Sequence, residues 1–455
     1  MAENENINRR DFIKEATLTS LGAAFVAIEL DATAAPAKPK PAVKPTTIVK
    51  PAPTSVAKVI EDEEYMGAPV NCAVIGLGPQ GRDILKSLMI MPGKGAKVVA
   101  ICDTYTKPKF IKRSDEIVSG LTVETDYHKI LENKDVQAVF VATPTHLHKQ
   151  IVVDALAAGK HVYCEAPLAN TIEDARAIAT AGMSAKSIFW PGIQYRANAM
   201  HNHVYNFIRA DALGKNIGGR AQWHRRGSWK QVWSETARMD ELNWRLRAVS
   251  SLGLEGELGI HSMDTANRFL RGLPKSIEGF GQTLAFTEDG MEVPDTVQLM
   301  MEYPGGIRFT YDATIASSLD GSYEAFYGTD SSIIVRDLRG WMFKESDAPM
   351  LGWEVYAKKE TMGIGDTSTG TGIMLVANAS KQLALNKEPS KVGTDVSKTA
   401  LFQSCGHFLN QIRGKKDKII ITPLEGYQAT VTAIKAHEAV MSGKKVVIEK
   451  SLFTL

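Results

Sequence analysis

The sequence predicts an α/β protein with two main domains: a doubly wound parallel sheet, then a second α/β domain with a mostly antiparallel sheet. Three observations support this fold class. Between residues 70 and 192, short apolar runs alternate with helical patterns, and connections of this length favour parallel strands. Beyond residue 195, apolar runs follow one another across Pro-Gly-Gly and Asp-Gly turns, as in antiparallel sheets. The length of 455 residues allows two or three domains.

Six apolar runs predict the parallel sheet. The first two, Val70–Ile75 and Val98–Cys102, flank a glycine-rich turn and a helical pattern. Leu147–Ala158 has apolar residues at helical spacing and ends before Gly159, a good helix stop. The other strands are predicted to begin at Leu121–Val123 and to span Gln137–Ala142, Lys160–Cys164 and Ser187–Gly192.

The second domain is predicted to mix helices with a series of short strands. Its helices are expected at Met200–Ala212, Glu257–Arg271, Thr399–Arg413 and Leu424–Ser442. Its strands are expected within Gly218–Trp233, Ser276–Leu284, Thr296–Tyr303, Ile307–Thr314, Tyr323–Tyr327, Ser332–Val335 and Lys445–Glu449.

The N-terminus is predicted to lie outside this fold. Asn8–Lys14 contains Arg9-Arg10 and is similar to the twin-arginine export consensus, and Ala32–Ala34 offers a cleavage site after a short apolar stretch. A surface amphipathic helix is the alternative. We therefore expect a twin-arginine signal peptide (1–35) and periplasmic or other export, a Pro/Ala/Lys-rich linker or arm (36–66), a dinucleotide-binding domain (67–194) and a substrate-binding or oligomerisation domain (195–455).

Bulk composition describes an ordinary globular chain. Apolar residues make up 44% and charged residues 23% of the sequence, and the formal net charge of +2 gives no reason to expect nucleic acid. No Cys-x-x-Cys spacing indicates a metal site. Three of the four cysteines lie in or beside predicted central strands, so all are expected to be buried unpaired thiols: Cys72, Cys102, Cys164 and Cys405.

The strongest local signal is Gly76-Leu-Gly78-Pro79-Gln80-Gly81 between a strand and a helix, with Asp103 at the end of the next strand. The glycines allow a tight turn, close approach of a pyrophosphate and close helix–strand packing. The carboxylate can accept hydrogen bonds from a ribose. This order predicts a Rossmann domain that binds NAD, tightly held, in preference to NADP. Lys107 and Lys109 leave NADP possible, and a glycine-rich turn in another α/β protein is the alternative.

Further polar residues follow other strands at their carboxyl ends, the edge where doubly wound sheets bind ligands. Residues after the fourth and fifth strands are expected to border the cofactor, and residues after the sixth to reach the substrate. The expected cofactor contacts are Thr143, Pro144, His146, His148 and Glu165; Gln194 and Arg196 are expected to bind substrate, and Tyr195 or Arg196 to donate to its oxygen.

Glu257 and His261 are four residues apart, so on a helix their side chains would lie on the same face. A carboxylate and an imidazole placed in this way could share a substrate hydroxyl. His261 is the expected general base, with a hydrogen-bonded structural histidine as the alternative. Two indole–guanidinium pairs are candidates for stacking on a sugar or binding its oxygens, or for packing at a subunit interface: Trp223 with Arg225, and Trp244 with Arg245.

Five motifs together point to a known family. They are the glycine motif, Ala142–His148, Ala158–Ala169, Gly259–Asp264 and Pro423–Tyr427. With them, residues 68–450 resemble the Gfo/Idh/MocA family, named after glucose–fructose oxidoreductase, inositol dehydrogenase and a rhizopine-catabolism protein. The resemblance implies a nucleotide domain joined to an α/β domain with a large open sheet that often forms an oligomer interface. It also implies a carbohydrate or polyol substrate between the domains and a homo-oligomer.

Two positions depart from the family pattern. The family's Glu-Lys-Pro is Glu165-Ala166-Pro167 here, and a methyl group cannot polarise a hydroxyl or carbonyl. The family's aspartate four residues before the histidine is Glu257, which keeps the carboxylate on a longer arm.

Three functions remain open on this sequence. The first is an exported NAD(P)-dependent oxidoreductase that transfers a hydride from a sugar, glycoside or polyol hydroxyl. The second is a redox-neutral glycosidase or lyase of the same fold, which oxidises, eliminates and then reduces. The third is a non-catalytic sugar-binding relative. Net NADH release, cleavage without net redox change, and binding without turnover would distinguish them.

Overall fold

The structure is a computed structural model that describes residues 67–91, 95–105, 121, 123–232, 238–336, 339–352, 354, 359–364, 367–375, 399–415 and 421–455. The predicted signal peptide with Arg9 and Arg10, the linker, Lys107 and Lys109 lie outside the described residues. No helix among the described residues is long and apolar enough to cross a membrane.

Within the described residues, the first sheet has six parallel strands in the order β3-β2-β1-β4-β5-β6. The reversal of strand order beside β1 opens a crevice at the carboxyl edge, where such sheets bind ligands. The elements are β1 (Val70–Ile75), α1 (Pro79–Met89), β2 (Ala96–Cys102), β3 (Val123–Glu124), α2 (Tyr127–Glu132), β4 (Ala138–Val141), α3 (His148–Ala157), β5 (His161–Glu165), α4 (Ile172–Ser184) and β6 (Phe189–Gly192).

Both faces of this sheet are buried, which explains why its strands are apolar throughout rather than alternating. On one face Val139 and Val162 join a core that continues into the second domain. On the other face Phe140 and Tyr163 join a separate core with Phe408. The four cysteines are buried and unpaired, as predicted.

The second sheet is mostly antiparallel, with strand order β14-β15-β13-β12-β11-β7-β10-β9-β8-β16 in the described residues. Among these strands, only β7 and β10 pair in parallel. The predicted fold class is confirmed. The strands are β7 (Asn216–His224), β8 (Ser276–Gln282), β9 (Thr296–Glu302), β10 (Arg308–Thr314), β11 (Ser322–Gly328), β12 (Ser331–Arg336), β13 (Arg339–Glu345), β14 (Lys359–Ile364), β15 (Thr367–Leu375) and β16 (Val446–Val447).

Helices cover one face of this sheet and connect it to the first. Phe309 and Phe326 point to that covered face, where their rings lie 5.8 Å apart and Phe326 also contacts Phe269. The helices are α5 (Gln194–Ala197), α6 (Ala199–Arg209), α7 (Met239–Leu242), α8 (Gly253–Glu257), α9 (Ile260–Phe269), α10 (Ala400–Ile412) and α11 (Pro423–Ser442).

Two predictions about these elements were wrong. The single helix expected at Glu257–Arg271 is broken, because α8 ends at Glu257 and α9 begins at Ile260. A Cβ on Gly259 would lie 2.3 Å from the Glu255 carbonyl oxygen and 2.9 Å from the Tyr311 ring, so only glycine fits at this break against the sheet. In addition, β13, β14 and β15 were not predicted; β15 contains three threonines and two glycines, which hide its apolar alternation.

The last two helices return to the first domain. Residues of α10 pack with α1 on one face of the parallel sheet, where Leu401, Phe402 and Phe408 share a core with β1 and β4. Helix α11 packs against α4 of the first domain and against β8 of the second. A boundary at residue 194 in the sequence therefore does not divide the chain into two independent cores.

Candidate functional site

The turn between β1 and α1 is a close-packed backbone loop. Gly76 has φ +93°, a conformation that favours glycine. A Cβ on Gly81 would lie 1.8 Å from the Gly76 carbonyl oxygen, so α1 can approach β1 only with glycine there. A Cβ on Gly78 would meet nothing within 4 Å, so this side of the turn is open. Pro79 and Gln80 begin α1, whose N-terminus favours an anion.

Asp103 follows β2 and is held against the same turn. Its carboxylate accepts hydrogen bonds from the backbone N–H groups of Leu77 (2.8 Å) and Tyr105 (2.9 Å). Burial raises the pKa of Asp103, although these hydrogen bonds and the charges of Arg238 and Arg82 oppose that rise. The carboxylate is thus fixed beside the glycine turn, as a ribose acceptor must be. This arrangement and the open side of Gly78 fit a dinucleotide.

Two buried oxygens at the carboxyl edge have no hydrogen-bond partner in the described part of the chain: Thr143 Oγ1 after β4 and Glu165 Oε1 at the end of β5. The other carboxylate oxygen of Glu165 accepts a 3.4 Å hydrogen bond from Gln194. Burial raises the pKa of Glu165 to about 7, against the opposing effect of Gln80, Gln194 and Arg245. Because unpaired buried oxygens are costly, these two groups fit a ligand that hydrogen-bonds to them.

His148 does not face a ligand, contrary to our expectation. Its Nδ1 lies 3.0 Å from the carbonyl oxygen of Pro167, and its Nε2 lies 2.9 Å from that of Thr143. Both ring nitrogens therefore face backbone carbonyl oxygens, and the one that carries the proton donates to its carbonyl. The buried imidazole thus joins the loops that follow β4 and β5. Pro144 lies in the first of these loops, before the short turn Thr145–Leu147.

Glu257 is buried and bonds to the first domain rather than to His261. Thr145 donates its hydroxyl to Glu257 Oε2 at 2.9 Å, and the backbone N–H of Leu252 donates to Oε1 at 3.1 Å. Burial raises the pKa of Glu257, and the charge of Arg245 opposes this. The expected sharing of one helix face with His261 was wrong, because the chain bends between α8 and α9.

His261 lies at the start of α9 beside Tyr195. Their ring centroids are 5.3 Å apart, and Tyr195 also stacks on His201 at 4.5 Å. Burial lowers the pKa of His261 to about 4, although the carboxylates of Asp264 and Glu324 oppose the shift. The imidazole is therefore neutral near pH 7. Its Nδ1 is buried and makes no hydrogen bond with the described residues.

Arg196 is structural, which corrects its predicted role as a substrate donor. Its guanidinium bonds both oxygens of Asp264, at 2.7 and 2.9 Å, and also bonds Glu425. Burial alone would lower the pKa of Arg196, but the two carboxylates outweigh burial and raise it. These ion pairs connect the segment after β6 with α9 and α11, and they leave the guanidinium little capacity for a substrate.

The two indole–guanidinium pairs lie in different settings. Trp223 lies on β7 opposite Ala313 and packs half-buried against the core, whereas Arg225 is exposed. Trp244 lies beside His146, with ring centroids 6.3 Å apart, and Arg245 stacks on the Trp244 ring at 4.7 Å. The second pair is therefore close to the carboxyl edge of the parallel sheet.

Sequence reasoning missed several residues of this region. They are Thr145, His201, Asp264, Glu324, Glu425 and Arg238. Thr145, Asp264 and Glu425 lie inside three of the motifs that carry the family resemblance, which is a signal that sequence reasoning had available. The approach of Arg238 to Asp103 and of Glu324 to His261 depends on tertiary packing and had no local signal.

Two family models match the chain and together cover more than half of it. Residues 70–193 match the Gfo/Idh/MocA oxidoreductase family with an NAD-binding Rossmann fold. Residues 201–334 match the Gfo/Idh/MocA C-terminal domain.

Similar proteins include carbohydrate enzymes of two kinds. Levoglucosan dehydrogenase of Pseudarthrobacter phenanthrenivorans is 27% identical over 233 residues, covering 46% of this chain and 58% of the relative. Glycosyl hydrolase family 109 protein 1 of Shewanella sp. (strain ANA-3) is 26% identical over 249 residues, covering 50% of this chain and 51% of the relative. The chain thus spans a little over half the length of these curated relatives.

A solved structure of levoglucosan dehydrogenase in complex with NADH aligns with a TM-score of 0.66 over 84% of this chain and 100% of that one. At 19% identity this alignment supports the fold. Because both family models match and Gly76–Gly81 form the glycine turn of a dinucleotide site, the chain belongs to the Gfo/Idh/MocA family of NAD-binding oxidoreductases.

Proposed function

We propose that this protein oxidises a hydroxyl group of a sugar, glycoside or polyol, with NAD as the hydride acceptor. The observation that carries the proposal is the unpartnered buried Nδ1 of His261 beside Tyr195. A substrate hydroxyl that bonds to this nitrogen would remove the cost of burying it unpaired.

A series of contacts connects His261 to the cofactor edge. Glu165 ends β5 and contacts Gln194, and Tyr195, the next residue, lies against His261. The Thr145–Glu257 hydrogen bond joins the loop after β4 to the helix that precedes α9. The Thr145–Glu257 bond therefore links the two domains beside the carboxyl edge of the parallel sheet.

The chemistry follows from the protonation states. NAD, when bound, supplies an acceptor for the hydride that leaves the carbinol carbon. His261 is neutral at pH 7 and can take the proton of the hydroxyl, while the C–O bond becomes a carbonyl. Negative charge that develops on the substrate oxygen favours the protonated imidazole and offsets the low pKa of His261. Thr143 and Glu165 would hold the cofactor through their unpaired oxygens.

A second candidate is a redox-neutral glycosidase or lyase of the same fold. The family lysine that polarises the reacting oxygen is Ala166 here. Similarity to glycosyl hydrolase family 109 protein 1 also favours the glycosidase candidate. Such an enzyme would oxidise a ring hydroxyl, remove the proton that this makes acidic on the neighbouring carbon, and release the glycosidic oxygen as an alcohol. A glycosidase would then add water to the double bond, and return of the hydride would complete a cycle without net redox change.

One experiment tests both candidates. The purified protein is denatured, the released nucleotide is identified, and a panel of sugars and glycosides is incubated with and without added NAD. We expect released or bindable NAD, and NADH formation that requires added NAD. Glycoside cleavage without NADH formation would support the second candidate. Binding of sugars without either reaction would contradict both and leave a sugar-binding protein.

We further propose that the chain is exported as a folded protein and that it forms a homo-oligomer. The Arg9-Arg10 motif supports export through the twin-arginine machinery. The resemblance to a family whose open sheet often forms an oligomer interface supports assembly through the uncovered face of the second sheet, where Phe280 is exposed.

A further inference from the structure

Arg238 of the second domain lies against the loop that carries Asp103 in the first domain. Its guanidinium stacks on the Tyr105 ring at 4.2 Å, and the backbone N–H of Tyr105 donates to the Asp103 carboxylate at 2.9 Å. One amino group of Arg238 pairs with Glu241 at 3.1 Å, and such a pair with an exposed acid contributes little to stability. The Nε–H of Arg238 is buried and has no hydrogen-bond partner among the described residues.

This unused donor distinguishes Arg238 from the other arginine beside Asp103. Arg82 donates to the carbonyl oxygen of Leu77 at 2.8 Å, within the glycine turn itself. The charges of both arginines act on the Asp103 carboxylate. The side chain of Arg238 is 18% accessible, so its guanidinium is not sealed from a ligand. A charged donor with unused capacity therefore lies beside the acid that faces the adenosine ribose in this type of site.

Residues 238–244, which we call the bridging segment, connect two loops at the carboxyl edge of the parallel sheet. Arg238 contacts Tyr105 after β2, and Trp244 lies beside His146 after β4, with ring centroids 6.3 Å apart. In the sheet, β1 lies between β2 and β4, so these loops are two strand spacings, or about 10 Å, apart. Six residue steps that include the short helix α7 can cover this distance. The bridging segment therefore reaches from one side of the glycine turn after β1 to the other.

We propose that Arg238 binds the 2′-oxygen of the adenosine ribose of NAD and thereby lets the second domain hold the cofactor. This inference rests on the NAD site of the proposed function and not on the reaction that follows. A ribose hydroxyl is both a donor and an acceptor, so it can donate to Asp103 and accept from Arg238. The bond relieves the cost of leaving Nε–H unpaired, and the charge of the donor strengthens it.

The test compares two nucleotides that differ at one oxygen: NADH, and NADH whose adenosine ribose lacks the 2′-hydroxyl. Fluorescence titration of Arg238→Met should show NADH affinity lowered by about tenfold to a hundredfold, the loss for a hydrogen bond from a charged donor. The affinity for the 2′-deoxy nucleotide should change little, because that nucleotide lacks the oxygen that Arg238 binds. Arg238→Lys keeps the charge and should lose less NADH affinity than Arg238→Met.

Arg336→Met is the matched control. Arg336 also stacks on a tyrosine, Tyr323, at 4.7 Å and pairs with an acid, Asp320, at 2.7 Å, but it lies on β12 of the second sheet. Its replacement should leave the affinity for both nucleotides unchanged. Thermal unfolding without nucleotide shows whether each variant is folded. If Arg238→Met does not fold, Arg238→Lys carries the same comparison, with a smaller loss that is again confined to NADH.

Three results would overturn the role of Arg238. They are unchanged NADH affinity in the variant, an equal loss for both nucleotides, and a loss of NADPH affinity with NADH affinity unchanged. An equal loss would mean that the bridging segment had loosened, and a loss for NADPH alone would assign Arg238 to a 2′-phosphate. The proposed function fails separately: a wild-type protein that binds NADH through Arg238 but oxidises and cleaves no sugar would refute the reaction and leave this inference standing.

Discussion

Glutamine in place of Glu165 should stabilise the nucleotide-free protein at alkaline pH and change its stability little in acid. Burial raises the pKa of Glu165 from 4.5 to about 7. At pH values between 4.5 and about 7, Glu165 is ionised in the unfolded chain and protonated in the folded protein. The stabilising effect of a raised pKa is therefore complete below pH 4.5 and is lost as the pH rises through about 7. Glutamine cannot ionise, so the variant avoids this loss.

The magnitude follows from the shift of about 2.5 pH units, which corresponds to about 3 kcal/mol at pH 8 and less than about 1 kcal/mol at pH 5. Denaturant unfolding of both proteins at pH 5 and pH 8 should therefore show a change in relative stability of about 2–3 kcal/mol in favour of the variant. His261 titrates in both proteins, and its contribution cancels. Glu132→Gln, on the exposed side of α2, is the control and should show no such pH dependence. An equal stability difference at both pH values would refute the reasoning about Glu165.

Three further predictions concern the reaction, the cofactor and export. His261→Asn should lower turnover by about a hundredfold to ten-thousandfold while NADH affinity, measured by fluorescence, stays nearly unchanged; retained turnover would exclude His261 as the base. Asp103→Ala should weaken NAD binding and raise the ratio of NADP to NAD affinity in calorimetry, because a 2′-phosphate no longer meets a carboxylate; if the wild type already prefers NADP, the assignment of Asp103 is wrong. Replacement of both Arg9 and Arg10 by lysine should leave the precursor in the cytoplasm with nucleotide binding intact, and export of that variant, seen by fractionation, would contradict the twin-arginine hypothesis.

The cofactor half of the site could be predicted because its information is local. Gly76, Gly81 and Asp103 lie within one strand–helix–strand unit, and each has a role that the backbone alone imposes. The substrate half depends on contacts between distant segments. Arg196 carries the right chemistry for a substrate donor, but Asp264 and Glu425, 68 and 229 residues further along the chain, occupy it.

The difference between local information and contacts between distant segments also explains the errors in the predicted secondary structure. The strands β8 to β12 have clear alternation and were predicted within two residues or so at each end. The break between α8 and α9 was missed because four-residue spacing looks the same whether a helix continues or bends. A Cβ at Gly259 would clash with the Glu255 carbonyl oxygen and with the Tyr311 ring, and that ring comes from a strand of the second sheet.

The return of α10 to the first domain constrains the order of events during synthesis. Phe408 contacts Phe140, Tyr163 and Trp190, so the last tenth or so of the coding sequence supplies part of the core around β4 to β6. A ribosome that has released only residues 67–194 has therefore produced a sheet whose α1 face still lacks Leu401, Phe402 and Phe408 of α10. Completion of that core must wait until α10 has been synthesised, and until then Phe140, Tyr163 and Trp190 lack their contacts with Phe408, which leaves apolar surface open to aggregation.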